Sequence, residues 1–144
     1  MSDPKRIKIS EESHPSAEII ERELLKVLRR EQPQSQNVSC VFVARDETDT
    51  IVGGLAGSTS YGWLLIKTLW IADRHQGAGL GRTLVQRAEE RGRELGCHAA
   101  WLDTSSPGAR MFYEKMGFCT FGSLGNRPGQ CLETHRRWFL QKQL

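Results

Sequence analysis

The chain has 144 residues, 20 basic and 17 acidic, for a formal net charge of +3 with hydrophobic residues at 38%. That length fits one domain with room for a substantial core, and the mild positive bias suits a small anionic ligand while falling short of a nucleic-acid-binding signature. No stretch approaches the roughly 20 apolar residues of a membrane span, and Met1 to Arg6 lack the apolar run of a signal peptide, so a cytoplasmic protein without nucleic-acid or membrane partners is expected. The four cysteines, Cys40, Cys97, Cys119 and Cys131, form no Cys-x-x-Cys pair and read as free thiols.

Taken in order, Arg6-Ile7-Lys8-Ile9-Ser10 alternates polar and apolar residues and predicts a short first strand. Pro15 then opens an amphipathic helix, with Ala17, Ile20, Leu24, Val27 and Leu28 at helical spacing, ending near Arg30. A polar loop from Glu31 to Asn37 leads to a strand over Ser39 to Arg45, a turn over Asp46 to Thr50 and a returning strand over Ile51 to Ser58. A second hairpin turns at Tyr61-Gly62 into an apolar strand from Leu64 to Ile71. The helix from Leu80 to Leu95 sends Leu80, Leu84, Ala88 and Leu95 to the sheet, leaves Gln86, Arg87, Glu89, Glu90, Arg91 and Arg93 for water, and is capped by Gly96. Cys97 to Thr104 predicts a strand parallel to Leu64–Ile71, because a long helix joins the two. Ser105 to Met116 gives a short helix. Phe118 to Phe121 and Thr134 to Gln141 close the chain as an antiparallel pair around the loop Gly122 to Gln130.

Between the apolar strand and the long helix lies Arg74-His75-Gln76-Gly77-Ala78-Gly79-Leu80-Gly81. Glycines before a helix N-terminus make an anion site from backbone N–H groups and the helix dipole. Spacing decides which kind. The dinucleotide fingerprint fails, since its third glycine falls on Arg82 or Leu84, and the triphosphatase loop fails because Arg82 stands five residues after Gly77 with no lysine behind it. The pattern that fits is Gln76-x-x-Gly79-x-Gly81.

Here the chain resembles the GNAT superfamily of acetyl-CoA-dependent N-acetyltransferases, whose pyrophosphate loop reads Arg/Gln-x-x-Gly-x-Gly/Ala between a strand and a helix. A second block, Ala109-Arg110-Met111-Phe112-Tyr113-Glu114-Lys115-Met116-Gly117-Phe118, is similar to the family's Ala-x-x-Phe-Tyr-Glu-Lys-x-Gly-Phe segment. The resemblance covers roughly Cys40 to Leu140. It implies an α/β fold: one GNAT-like domain over residues 1–144, with a mixed, mostly antiparallel sheet of about six or seven strands, a central parallel pair and flanking helices.

The implied function is transfer of acetyl from acetyl-CoA to a primary amine of a small molecule or a protein, without a metal, and with a homodimer as the assembly that family habit suggests. A non-catalytic acyl-CoA-binding sensor or scaffold is the alternative. By resemblance the pyrophosphate lies on the amides of Gln76, Gly77, Ala78, Gly79, Leu80, Gly81 and Arg82. The pantetheine arm pairs with the backbone of Trp70 and Ile71, and a strand N–H serves the thioester oxygen.

Tyr113 occupies the family's tyrosine position, where a phenol protonates the departing thiolate; the competing reading is a packed aromatic beside Phe112. The family's glutamate on the strand before the loop is replaced here by Lys67 and Thr68, so the base falls to Asp103, which equally reads as a helix cap or a partner of a surface arginine. Ser106 stands where the family has an asparagine holding the pantetheine arm. No cysteine lies in either block, which favours direct transfer over an acyl-enzyme. His75 reads as a solvated loop residue, His14, His98 and His135 have no metal-ligand spacing, and Arg136-Arg137-Trp138 reads equally as a ligand contact or as simple strand alternation.

Overall fold

A strand needs a partner, and the first predicted strand has none. The computed structural model describes residues 6–31 and 37–144, and over 6–14 it contains no strand, with Ile7 59% and Ile9 97% exposed. Two apolar side chains supply roughly 3–6 kcal/mol if fully buried. Ordering five residues costs about 1–2 kcal/mol each, so alternation alone does not hold the segment in a sheet. Residues 1–5 and 32–36, including most of the expected loop Glu31 to Asn37, lie outside the described residues.

By their contacts the residues form two units, Met1–Ser35 and Gln36–Leu144. The first holds α1 (Pro15–Glu31), which starts at its proline as expected, carries Arg29 and Arg30 in the last turn and has no buried residue.

The second unit holds a six-stranded sheet. β1 (Ser39–Arg45) and β2 (Ile51–Ser60) form a hairpin whose turn is tied by Asp46, whose Oδ1 accepts from the N–H and hydroxyl of Thr48 and from the N–H of Thr50 at 2.7–3.0 Å. These bonds favour the ionised form and hold the Asp46 carboxyl below its usual range. β3 (Trp63–Ile71) follows a tight turn at Tyr61 and Gly62, both with positive φ, as hairpin turns of this length require. Then come α2 (Leu80–Glu94), β4 (Ala99–Thr104), α3 (Pro107–Lys115), β5 (Cys119–Gly125) and β6 (Arg136–Gln143), in the sheet order β1-β2-β3-β4-β6-β5. Only β3 and β4 run parallel, and the other neighbours are antiparallel.

Two irregularities shape the sheet. In β3, Ile66 pairs with Gly57 and Thr68 with Ala56, which leaves Lys67 without a partner as a β-bulge. The bulge reverses side-chain parity: Leu64 and Ile66 are buried before it, whereas Leu69 and Ile71 pack on the same core after it. Gly57 is required opposite, since a Cβ there would sit 2.5 Å from the Leu65 carbonyl oxygen. In β5 a second shift around Phe121 lets the ladder continue to Gly125, so the loop expected from Gly122 begins only at Asn126.

The core gathers Leu55, Leu64, Val85, Ala88, Leu102, Phe118 and Leu140 between the sheet, α2 and α3. One residue expected in water belongs with them: Glu89 is 4% exposed, because β6 runs on to Gln143 and brings the Lys142 Nζ within 2.7 Å of its Oε1. The four cysteines are free, Cys40 and Cys97 buried, and burial raises the Cys97 thiol. Among the described residues no helix is long and apolar enough to cross a membrane.

Candidate active site

Parallel pairing of β3 with β4 lasts for three residue pairs, Trp63 with Ala99, Leu64 with Ala100 and Leu65 with Trp101. Beyond them β3 stays with β2 as far as Ile71 while β4 stays with β6 as far as Thr104, so the strands part and leave a gap. A gap at strand C-terminal ends is where open α/β sheets admit ligands.

One side of this gap opens into a cavity of about 580 Å³. Of the residues assigned to cofactor binding, Ile71, Gln76, Gly77, Gly79, Leu80, Gly81, Arg82 and Ser106 line it, joined by Leu69, His75, Gly108, Ala109 and Phe112. Gly77 (φ 81°) and Gly79 (φ 83°) adopt left-handed backbone, and a Cβ at either would face open space, so both suit close approach of a ligand. The first helical bond of α2 is donated by Thr83 N–H to Gly79 O at 3.0 Å. Helix geometry therefore leaves the amides of Leu80, Gly81 and Arg82 without intrahelical acceptors. Among the described lining residues none is acidic, and Arg82 adds a positive charge. The cradle fits a phosphate-bearing group. Ala78 lies between the two glycines without lining the cavity.

Trp70 faces elsewhere. Its ring lines a shallow groove on the other face of the sheet with Val41, Val43 and Ile51. Ala72 N–H donates to Val52 O, and Trp70 is in register with Gly54, so antiparallel alternation turns the backbone groups of Trp70 towards β2. The same alternation turns Leu69 and Ile71 towards the gap. The Ile71 carbonyl already accepts from Gln76 Nε2 at 3.1 Å, which ties the loop to the strand.

On the other side of Leu69 and Ala109, which line both spaces, lies a cavity of about 260 Å³ bounded by Ile66, Lys67, Thr68, Asp103, Thr104 and Tyr113. The two candidate catalytic residues thus share one cavity. Tyr113 is 6% exposed, with Phe112 and Phe118 edge-on at 5.1 and 5.5 Å, and burial pushes its phenol up to about 12. Asp103 Oδ1 meets Arg137 Nε at 3.4 Å, so the arginine-partner reading describes one of its contacts. It does not cap α3. Ser106 does that, its Oγ accepting from Ala109 N–H at 3.1 Å, while Thr104 Oγ1 accepts from Ser106 N–H. The Ser106 hydroxyl acts only as acceptor in this cap, which leaves its proton free to donate.

Sequence reasoning did not single out Leu69 or Phe112, and it discounted His75. Phe112 was within reach, since it adjoins Tyr113 in the quoted block. Leu69 was not, because only the bulge turns it inward. Among the described residues no group of three or more His, Cys, Asp or Glu is arranged to hold a metal ion.

The profile of the Acetyltransferase (GNAT) family matches residues 7–118. An acetyltransferase of Agrobacterium fabrum is 40% identical over 81 residues, 56% of this chain and 59% of that protein, so the match spans less than two thirds of the relative's length. The blasticidin-S acetyltransferase of Streptomyces morookaense is 34% identical over 107 residues, covering 72% of this chain and 79% of that protein. A crystal structure of a protein from Agrobacterium tumefaciens superposes with a TM-score of 0.85 at 28% identity, covering 96% of this chain and 99% of the other.

Proposed function

The chain belongs to the GNAT family of acetyltransferases, and from that premise we propose that it transfers an acetyl group from acetyl-CoA directly to a primary amine. The observation that carries the proposal is the pair of adjoining cavities, one floored by the Gly77–Arg82 amides and the other holding Tyr113 and Asp103. A cofactor with its pyrophosphate on the loop and its arm along β3 would present its thioester near Leu69, where the two spaces meet.

Acetyl-CoA supplies the activated acyl group, and the chain's own residues do the rest. The loop amides and Arg82 bind the pyrophosphate. N–H groups of Leu69 and Ile71, on the gap side of β3, are the candidate donors to the pantetheine arm and the thioester oxygen. The neutral amine attacks the carbonyl carbon, the new C–N bond replaces C–S, and the amine's surplus proton passes to Asp103 directly or through water. Tyr113, neutral throughout the physiological range, donates its phenolic proton towards the leaving sulfur and recovers one from solvent. The Ser106 hydroxyl remains a donor towards the arm.

The amine belongs to a small molecule in this reading, because the Streptomyces relative named above is a blasticidin-S acetyltransferase. A protein amine is the other acceptor class open to such a site, and the reading carries a cytoplasmic location.

The test is a thermal-shift titration with acetyl-CoA, CoA and NAD, followed by thiol release with a panel of amines. Stabilisation by acetyl-CoA and CoA but not NAD, with amine-dependent thiol release, is the expected result. Absence of stabilisation by either coenzyme overturns the assignment of Gln76 to Arg82.

A further inference from the structure

We propose that Lys67 selects the acceptor by binding a carboxylate carried close to its amine. The proposal rests on the acetyltransferase reading and names the class of substrate for that same site. Lys67 is the extra residue of the β3 bulge, held outside the ladder that fixes its neighbours, and bulges re-aim side chains next to active sites. It lines the cavity that holds Tyr113 and Asp103. Among the described residues its ammonium has no hydrogen-bond or ion-pair partner.

The charges around it point the same way. Asp103 stands on β4, across the gap from β3, and Arg137 lies 3.4 Å from its carboxylate. That arginine offsets the one acidic group lining the cavity and leaves Lys67 as the unbalanced charge. A simple cationic amine entering this space meets a like charge. A dipolar acceptor does not: its amine lies towards Asp103 and Tyr113 on one wall, and its carboxylate towards Lys67 on the other. The acceptor class is therefore the amino acid or a similar amino-carboxylate.

The experiment uses acetyl-CoA-dependent thiol release with matched pairs, L-leucine against L-leucinamide and β-alanine against β-alaninamide, compared at equal concentrations of free amine. Wild type favours the carboxylate of each pair. Lys67→Gln loses about 10- to 100-fold in kcat/KM for the carboxylates alone, the range of a lost charge-assisted hydrogen bond, and Lys67→Arg restores most of it. Equal rates within each pair, a preference for the carboxamides, or a loss in Lys67→Gln that is the same for every amine overturns the proposal. Thermal shift with acetyl-CoA separates the two levels of failure. A protein that binds acetyl-CoA and acetylates carboxamides refutes the carboxylate anchor alone, whereas one that acetyl-CoA does not stabilise refutes the transferase reading and the anchor with it.

Discussion

Gln76 Nε2 donates to the Ile71 carbonyl at 3.1 Å, so the side chain that opens the glycine loop is fastened to the last residue of the strand before it. The loop is thereby held over the gap before any ligand arrives. Gln76→Ala removes this tie and leaves the amides of the loop in place. A neutral hydrogen bond contributes about 0.5–1.5 kcal/mol, so affinity for acetyl-CoA should fall roughly 2- to 10-fold, with kcat little changed. Isothermal titration against CoA checks the first part and initial rates the second.

Tyr113→Phe keeps the ring that packs against Phe112 and Phe118 and removes only the proton donor. Positioned general acids contribute roughly 10²- to 10⁴-fold, so kcat should drop by at least about 100-fold while the KM for acetyl-CoA holds. Unchanged thiol-release rates in this variant would mean that Tyr113 is a core aromatic and nothing more.

The same phenol has a thermodynamic signature. Burial raises it from 10.0 to about 12, so between those values the unfolded chain has released a proton that the folded chain still holds. Stability then falls as pH rises: the contribution is intact below pH 10 and is lost progressively as pH climbs to about 12. Two units correspond to about 3 kcal/mol at the upper end. Urea unfolding from pH 8 to 11.5 should show this decline in wild type and a shallower one in Tyr113→Phe.

Glu89 and Lys142 join α2 to β6 at 2.7 Å, and Glu89 is almost wholly buried. Lys142→Met strands that carboxylate and should destabilise the protein by about 3 kcal/mol at neutral pH, whereas the double replacement Glu89→Leu with Lys142→Met should recover most of the loss. Denaturant midpoints of the three proteins form the comparison, and additive losses would show that the two residues act independently.

Gly57→Ala places a methyl group 2.5 Å from the Leu65 carbonyl oxygen, a backbone atom that cannot turn aside. Overpacking of this kind costs about 1–3 kcal/mol, and the relief available is to spread β2 from β3. Lower stability should therefore come with weaker acetyl-CoA binding, although residue 57 lines neither cavity. A thermal-shift titration reads both effects.

Most elements follow from patterns that a single segment carries. Pro15 and the spacing of Ile20, Leu24 and Val27 specify α1, and the glycines at 77 and 79 announce a loop that must bend through positive φ. What a segment cannot carry is its partner. Arg6 to Ser10 alternates as a strand does, yet nothing within those residues supplies a ladder. Glu89 looks like one more charged residue on a polar face until β6, some fifty residues later, delivers Lys142. The orientation of Trp70 has a related origin: it lies in an apolar run that carries no face of its own, and one unpaired residue at 67 decides which of its neighbours meet the gap.

That unpaired residue also frees its own position from the work of folding. From Thr68 to Ile71 each residue of β3 is paired with one of β2, and Leu69 and Ile71 also pack on the core, whereas position 67 has neither tie. Position 67 can therefore change without the loss of a ladder pair. A side chain exchanged there would redraw one wall of the cavity that holds Tyr113 and Asp103 and leave every pair between β2 and β3 in place, so the irregularity in β3 separates the shape of the cavity from the integrity of the sheet beneath it.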